Sequence, residues 1–313
     1  MQTRKLGKNG PEITVIGLGA WAIGGPWVFG WGKQDDQQSI ETIQKSLEFG
    51  INWIDTAAVY GLGHSEKIVG QALKGKRDEV FLATKCGLVW NNKGKVRNNL
   101  NPESIRTELE NSLSRLGTDY IDLYQFHWPD PNTNVEDSWH EMVKLKEAGK
   151  VRYLGVSNFD VPLLEKCEAI HHVDSLQPPY SMLNRDVETE ILPYCEKHGI
   201  GVIAYSPMQS GLLTGKFDKS RLAPDDWRHK SEYFKEPNLS RNLEFVDSLK
   251  PIADKYGKTV GHLAIAWVLK HSAVTSAIVG ARRPEQAAEN VLAADLHLSE
   301  DDLEEIQQKL NEL

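Results

Sequence analysis

The chain has 313 residues, enough for one large α/β barrel or two ordinary domains. Hydrophobic residues make up 40 % and charged residues 26 %, and Lys+Arg 36 against Asp+Glu 44 leaves a formal net charge of −8. That field repels nucleic acid and anionic membrane as main partners, while leaving room for one local basic pocket.

In chain order, segments 2–6 and 12–16 flank Lys8-Asn9-Gly10, a hairpin signal in which Asn-Gly supplies positive φ angles cheaply. Such a hairpin would plug the bottom of something larger. The N-terminus, MQTRKLGKNG, has no signal-peptide apolar stretch, and no apolar run approaches the ~20 residues needed to span a bilayer. A soluble, cytoplasmic protein is expected. Strands are then expected over 16–20, 52–55, 80–86, 121–127, 151–157, 175–177, 201–205 and 277–280. Helical periodicity follows each strand, for example over 39–49, 102–116, 135–148 and 161–171. Asn101-Pro102 opens one helix, and Gly50, Gly117, Gly149 and Gly199 sit just past the ends of others. Segment 209–238, rich in charges with Pro224 and Pro237, is long for a loop and reads as a lid.

No linker or low-complexity block divides the chain, so a single domain over 1–313 is expected. Alternating strands and helices at this length argue for a (β/α)8 TIM barrel with an N-terminal hairpin and extra C-terminal helices. A doubly wound open sheet is the rival. It is weaker because Gly17-Leu18-Gly19 is followed by Ala20-Trp21-Ala22, without the third glycine of a dinucleotide fingerprint. Cys86, Cys167 and Cys195 are odd in number, widely spaced and without a CxxC pair, so reduced thiols and no metal site are expected.

Polar residues fall at the strand ends: Asp55, Lys85, His127, Ser157-Asn158, Gln177 and Tyr205-Ser206. Each alone fits a capped helix start or a solvated loop. In a barrel all those ends converge on one mouth, and the set then reads as a site. Tyr60 lies five residues past Asp55, in Thr56-Ala57-Ala58-Val59-Tyr60-Gly61. A free tyrosine, with pKa ~10, is a poor acid–base group at neutral pH. An ammonium beside it would stabilise the phenolate, a role open to Lys85, with Asp55 holding Lys85 charged. His127 would orient the substrate oxygen or relay a proton.

Trp53-Ile54-Asp55-Thr56-Ala57-Ala58-Val59-Tyr60-Gly61, Ala83-Thr84-Lys85, Leu123-Tyr124-Gln125-Phe126-His127, Gly155-Val156-Ser157-Asn158-Phe159 and Ala204-Tyr205-Ser206-Pro207 resemble the signature of the aldo-keto reductase superfamily. The resemblance spans nearly the whole chain. It implies a (β/α)8 barrel, carbonyl reduction with NADPH, and a tetrad of Asp55, Tyr60, Lys85 and His127 with Tyr60 as general acid. It further implies that Ser157, Asn158 and Gln177 bind the nicotinamide carboxamide and that Tyr205 stacks on its ring. Ser206, Pro207, Met208, Gln209 and Ser210 would cover the pyrophosphate with Lys216 nearby, and Ala20, Trp21 and Asp55 would approach the ribose.

The adenosine end departs from the pattern. Many members carry a Lys-Ser pair after strand eight and an arginine further on; here those places hold Gly280-Ala281 and Gln286. Arg282 or Arg283 would supply the missing charge, helped by a helix starting near Pro284, and Arg228 of the lid is within reach. Glu289 and Asn290 match the pair that binds adenine. Solvent-facing roles for the two arginines remain open, and so does NADH. Trp21, Trp27, Trp31, Trp90 and Trp128 in the mouth loops suit an apolar or aromatic carbonyl substrate. Two rivals stand. Pro129-Asp130-Pro131-Asn132-Thr133 resembles the potassium-channel β subunits, which would make the chain a nucleotide-sensing interaction module. Against this stand His127, where those subunits typically carry asparagine, and a chain that begins at the hairpin. The other rival is a Schiff-base lyase using Lys85. A monomer is expected, since helix 303–310 shows no clear extra apolar stripe.

Overall fold

In the computed structural model, which describes residues 1–27 and 29–313, the chain begins with a small antiparallel hairpin. Its strands are β1 (Thr3–Lys5) and β2 (Glu12–Thr14), with Arg4 opposite Ile13. The turn differs from the expectation. Neither Asn9 nor Gly10 has positive φ; Gly7 does, at 58°. The loop is closed by Leu6 N–H to Pro11 O at 2.9 Å and Gly10 N–H to Leu6 O at 2.9 Å. Gly10 is needed for space instead, since a Cβ there would lie 2.2 Å from Leu6 O.

The barrel strands are β3 (Ile16–Gly19), β4 (Trp53–Asp55) and β5 (Phe81–Cys86), with a second hairpin of β6 (Leu88–Trp90) and β7 (Val96–Asn98) inserted after them. They continue with β8 (Ile121–Phe126), β9 (Val151–Ser157), β10 (Ser175–Gln177), β11 (Gly201–Tyr205) and β12 (Val274–Gly280). All eight pair in parallel, and β12 returns to β3 with Ala277 opposite Ile16, which closes a TIM barrel. β12 begins three residues earlier than the sequence suggests. The second hairpin went unread because Leu88–Trp90 and Val96–Asn98 are too short to show alternation.

The covering helices are α1 (Asp36–Glu48), α2 (His64–Ala72), α3 (Pro102–Leu116), α4 (Val135–Glu147), α5 (Val161–Glu168) and α6 (Ile191–His198). After β11 come α7 (Asn238–Ser248), α8 (Lys250–Lys255) and α9 (Val260–Lys270), and after β12 come α10 (Pro284–Val291) and α11 (Glu300–Asn311). Local chemistry sets their ends. Asp35 caps α1 by accepting from Gln38 N–H, Pro102 opens α3, and Gly117 and Gly199 end α3 and α6 in the left-handed region. Helix α5 stops at Glu168, short of the expected 171. Among the described residues, no helix is long and apolar enough to cross a membrane. Cys86, Cys167 and Cys195 are buried free thiols.

The barrel interior decides where the site lies. Leu6 and Ile13 of the hairpin pack with Trp53, Ala83, Leu123, Ile203 and Ile278 of the strands in one buried cluster, so the hairpin plugs the lower end. Trp53 fills the lumen and donates its indole N–H to Thr14 O at 3.0 Å. Gly17 makes that possible, because a Cβ there would lie 2.0 Å from the Trp53 ring.

Candidate active site

Side chains in a strand alternate, so residues two places beyond this apolar layer also point inward, one layer nearer the C-terminal mouth. Trp53 leads to Asp55, Ala83 to Lys85, Leu123 to Gln125, and Ile203 to Tyr205. The registers agree: Lys85 pairs with Gln125, and Ser157 with Gln177. Polar side chains from separate parts of the chain therefore form one ring above an apolar floor.

Lys85 is the hub. Its ammonium donates to Asp55 Oδ2 at 2.6 Å, to Thr56 O at 3.0 Å and to the Tyr60 hydroxyl oxygen at 3.3 Å. Three protons thus meet three acceptors. The Lys85 and Asp55 side chains are 0 % and 3 % exposed, so neither charge is screened by water. A buried pair of this kind persists only when its remaining hydrogen bonds are made. They are: Asp55 Oδ1 accepts from Gln177 Nε2 at 2.9 Å and from Gln125 Nε2 at 3.4 Å.

Tyr60 and His127 sit above this pair, their rings edge to face at 5.6 Å. Burial and the Asp55 charge push the Tyr60 phenol well above its ordinary value. This overturns the expectation that Lys85 lowers it: at 3.3 Å the ammonium does favour the phenolate, but desolvation and Asp55 outweigh it. Burial also pulls Lys85 down against the opposing pull of Asp55. His127 is driven well below its ordinary value by burial and by Lys85. At neutral pH the pair is therefore a neutral phenol beside a neutral imidazole. Because Tyr60 accepts from Lys85, its own proton is left to point elsewhere.

One wall of the mouth is cross-linked. Asn158, in the left-handed region at φ 62°, donates from Nδ2 to His127 O at 3.0 Å and to Ser157 Oγ at 3.0 Å. Ser157 donates to Gln177 O at 2.8 Å, and the Tyr205 hydroxyl donates to Asn158 Oδ1 at 2.9 Å. On the far side, Ala20 N–H donates to Asp55 O at 2.8 Å, which brings Ala20 and Trp21 beside the tetrad.

After β11 the chain runs through Ser206, Gln209, Ser210 and Gly211, all at positive φ, with Pro207 and Met208 between them. Gln209 N–H and Gly211 N–H are tied into turns, to Ser206 O at 2.9 Å and Met208 O at 3.1 Å, and the run of positive-φ residues around them is a geometry suited to anions. The Gln209 side chain itself is turned into the protein and accepts from Ser181 at 2.7 Å. Segment 209–238 is a chain of short 3₁₀ turns whose Leu212 and Phe234 pack with Leu239 of α7 in a separate apolar cluster. It meets the first barrel loop through Trp227, whose ring lies 5.6 Å from Trp21 and 6.2 Å from Trp31. Arg228 stacks over Trp31 at 4.4 Å and donates to Ser210 O at 3.3 Å.

Arg282 is anchored rather than solvent-facing: its Nε donates to Gln34 Oε1 at 2.8 Å, and its backbone N–H to Gln286 Oε1 at 2.8 Å. Burial, and then the charges of Arg228 and Arg283, lower its pKa, so the three arginines lie close together, with Arg228 paired to Asp226 at 2.7 Å and Arg283 lying 3.7 Å from Glu285. Arg283 is exposed. Lys216 pairs with Glu289 at 3.1 Å, and Asn290 Nδ2 donates to Gly280 O at 3.1 Å beside Ala281. The residues fit a nicotinamide dinucleotide: an amide-and-hydroxyl cluster beside the proton donor, a positive-φ segment, then an arginine patch. The Trp227 indole N–H, buried without a partner, is a further unsatisfied donor along this path.

Gln125, Thr56 and Gln34 were missed in the sequence. Gln125 was detectable, since it stands two places past the apolar Leu123 as Lys85 does past Ala83; Gln34 carried no local signal. Conversely, Trp90 lines a separate cleft of about 560 Å³ with Ala58, Asn101, Glu108 and Arg115, and Trp128 is exposed.

The aldo/keto reductase family profile matches residues 15–311. The chain is 43 % identical over 290 residues to the aldo-keto reductase YhdN of Bacillus subtilis (91 % of this chain, 86 % of that one). It is 40 % identical to an NADH-specific methylglyoxal reductase of Escherichia coli (96 % of each chain). A probable voltage-gated potassium channel subunit beta of Arabidopsis thaliana is 35 % identical (95 % and 92 %). Among solved structures, the glycerol dehydrogenase of Gluconobacter oxydans superposes with a TM-score of 0.89 at 40 % identity (99 % and 95 %). The chain belongs to the aldo/keto reductase family and is an NAD(P)H-dependent oxidoreductase.

Proposed function

We propose that the protein reduces aldehydes or ketones to alcohols with NADPH, with Tyr60 as the proton donor. The carrying observation is the Lys85 ammonium, which holds Asp55 on one side and the Tyr60 hydroxyl oxygen on the other. When bound, the reduced nicotinamide supplies the hydride that goes to the carbonyl carbon. The neutral Tyr60 phenol donates its proton to the carbonyl oxygen. The negative charge left on the phenol oxygen meets the Lys85 ammonium already in place, which makes the transfer less costly. Asp55, fixed by Gln177 and Gln125, keeps that ammonium aimed. Neutral His127 donates through one ring nitrogen and orients the substrate oxygen.

Ser157, Asn158, Gln177 and Tyr205 would hold the nicotinamide, and Ala20, Trp21 and Asp55 its ribose. Ser206, Pro207, Met208, Gln209 and Ser210 would hold the pyrophosphate, with Lys216 joining them after leaving Glu289. Arg282, and Arg228 after leaving Asp226, would take the 2′-phosphate next to Gly280, Ala281 and Gln286, with Glu289 and Asn290 on adenine. The arginine patch supports NADPH over NADH. The protein would act as one domain over 1–313, monomeric and cytoplasmic.

Similarity to a channel β subunit keeps a nucleotide-sensing role as the second reading. Titration with NADPH and NADH by tryptophan fluorescence, followed by a panel of aldehydes and ketones, separates the two. Tight NADPH binding with turnover supports the reductase. Tight binding with no turnover across the panel transfers the weight to the sensor.

A further inference from the structure

Ser65 is the second residue of α2 and is fully buried, yet its hydroxyl bonds outside its own helix. It donates to Ala20 O at 2.8 Å, just past β3, and that bond uses its one proton. The contact with Thr56 Oγ1 at 3.0 Å is therefore donated by Thr56, just past β4. One hydroxyl thus joins three separate parts of the chain. Each part touches the tetrad. Ala20 N–H donates to Asp55 O at 2.8 Å, Thr56 O accepts from Lys85 Nζ at 3.0 Å, and Ser65 N–H donates to Tyr60 O at 3.2 Å.

The surroundings make this junction stiff. Turn 20–24, closed by Ile23 N–H to Ala20 O at 3.2 Å, is pressed against the Tyr60 backbone. A Cβ on Gly61 would lie 2.0 Å from Gly24 O, so any shift of that turn pushes on the segment that carries Tyr60. On its other side α2 is anchored by Glu66, also fully buried, which accepts from Thr84 Oγ1 at 2.7 Å and from Arg115 Nε at 2.6 Å. Thr84 stands next to Lys85 in β5, so the first turn of α2 is fixed to the lysine strand without Ser65. Ser65 fastens the other two segments to that base. We infer that Ser65 is a positioning residue for the reaction, whose hydroxyl sets the 3.3 Å spacing of Tyr60 and Lys85 through Ala20 and Thr56. Misplacing a reacting group by about 1 Å can cost about a hundredfold in rate, so a small slip at this junction is felt in the proton transfer.

This inference rests on the reading of Tyr60 as proton donor, and the test keeps the two apart. Ser65→Ala removes the whole junction, while Thr56→Val, of nearly equal size, removes only the Thr56 bond. The single-turnover rate of carbonyl reduction, the KM for the carbonyl and the NADPH affinity are measured for the wild type, both variants and the double variant. Ser65→Ala should slow the reduction by about tenfold or more, with KM and NADPH affinity within about threefold of the wild type. That split marks a folded protein with a displaced donor. Thr56→Val should be slowed less, and the double variant should be no slower than Ser65→Ala, because both changes act through one hydroxyl. Three results overturn the role of Ser65: a wild-type rate in Ser65→Ala, losses that multiply in the double variant, or a slower rate matched by an equal loss of NADPH affinity in a variant that folds. If Ser65→Ala does not fold, Thr56→Val decides alone, slower reduction at unchanged KM and affinity supporting the role and a wild-type rate overturning it. Absence of carbonyl reduction by the wild type, or a wild-type rate in Tyr60→Phe, overturns the proton-donor reading and this inference with it.

Discussion

Lys85 Nζ lies 2.6 Å from Asp55 Oδ2 at the floor of the barrel mouth, and both side chains are shut off from solvent. Asp55→Ala leaves the ammonium buried without its counter-ion, which should cost about 3–5 kcal/mol of stability. Replacing both residues with apolar ones of similar size, as in the double variant Asp55→Leu, Lys85→Met, should recover much of that loss while remaining inactive. Urea unfolding of the three proteins checks this. A single variant as stable as the wild type would show that the pair contributes no mutual compensation.

Arg282 should act on one cofactor and not the other. Arg282→Ala removes a guanidinium that is already oriented by Gln34, and should weaken NADPH binding by about 10- to 100-fold, the scale of one charge-assisted contact. NADH, lacking the 2′-phosphate, should bind the variant as it binds the wild type. Fluorescence titrations with both cofactors decide. Equal weakening of both would mean that Arg282 only fastens the first loop through Gln34.

Glu108 of α3 gives the fold a pH dependence close to the site. Its carboxyl accepts from Gly87 N–H at 3.0 Å, two residues past Lys85, and burial raises its pKa from 4.5 to about 7. A carboxyl whose folded value lies above its unfolded value holds more protons when folded. Stability from this group is thus full below pH 4.5 and falls as pH rises through 7, by roughly 3 kcal/mol if the whole shift is realised. Glu108→Gln should flatten that part of the curve of Tm against pH between 5 and 8. An unaltered slope in the variant would place the titration elsewhere.

Much of this arrangement could be read before the structure. The eight strand positions and the polar residues at their ends follow from short apolar runs and from the rule that barrel strands share one mouth. Asp55, Lys85, Ser157, Gln177 and Tyr205 do meet as that rule requires. What stayed hidden depends on distances in space. The direction of the Tyr60 shift is set by burial, which no spacing of residues reveals. Arg282 and Arg283 stand as equal candidates in the sequence until Gln34, remote in the chain, is seen holding Arg282. The Asn9-Gly10 turn misled because the hairpin closes through Gly7 and a longer loop, where packing against Gly199 governs the path. Segment 209–238 read as a long loop and lid because 3₁₀ turns leave no periodic signature, although its Leu212 and Phe234 join Leu239 of α7 in an apolar cluster.

The central claim is that Tyr60 gives the proton. Tyr60→Phe keeps the ring against His127 and Trp27 and removes the hydroxyl that accepts from Lys85. The measurement is paired on one preparation: NADPH affinity by fluorescence titration, and single-turnover reduction of a carbonyl that the wild type reduces. The account predicts affinity within about twofold of the wild type and a rate lower by 10² to 10⁴ or more, the usual contribution of a positioned acid. A variant that binds NADPH and still reduces the carbonyl at the wild-type rate would contradict it.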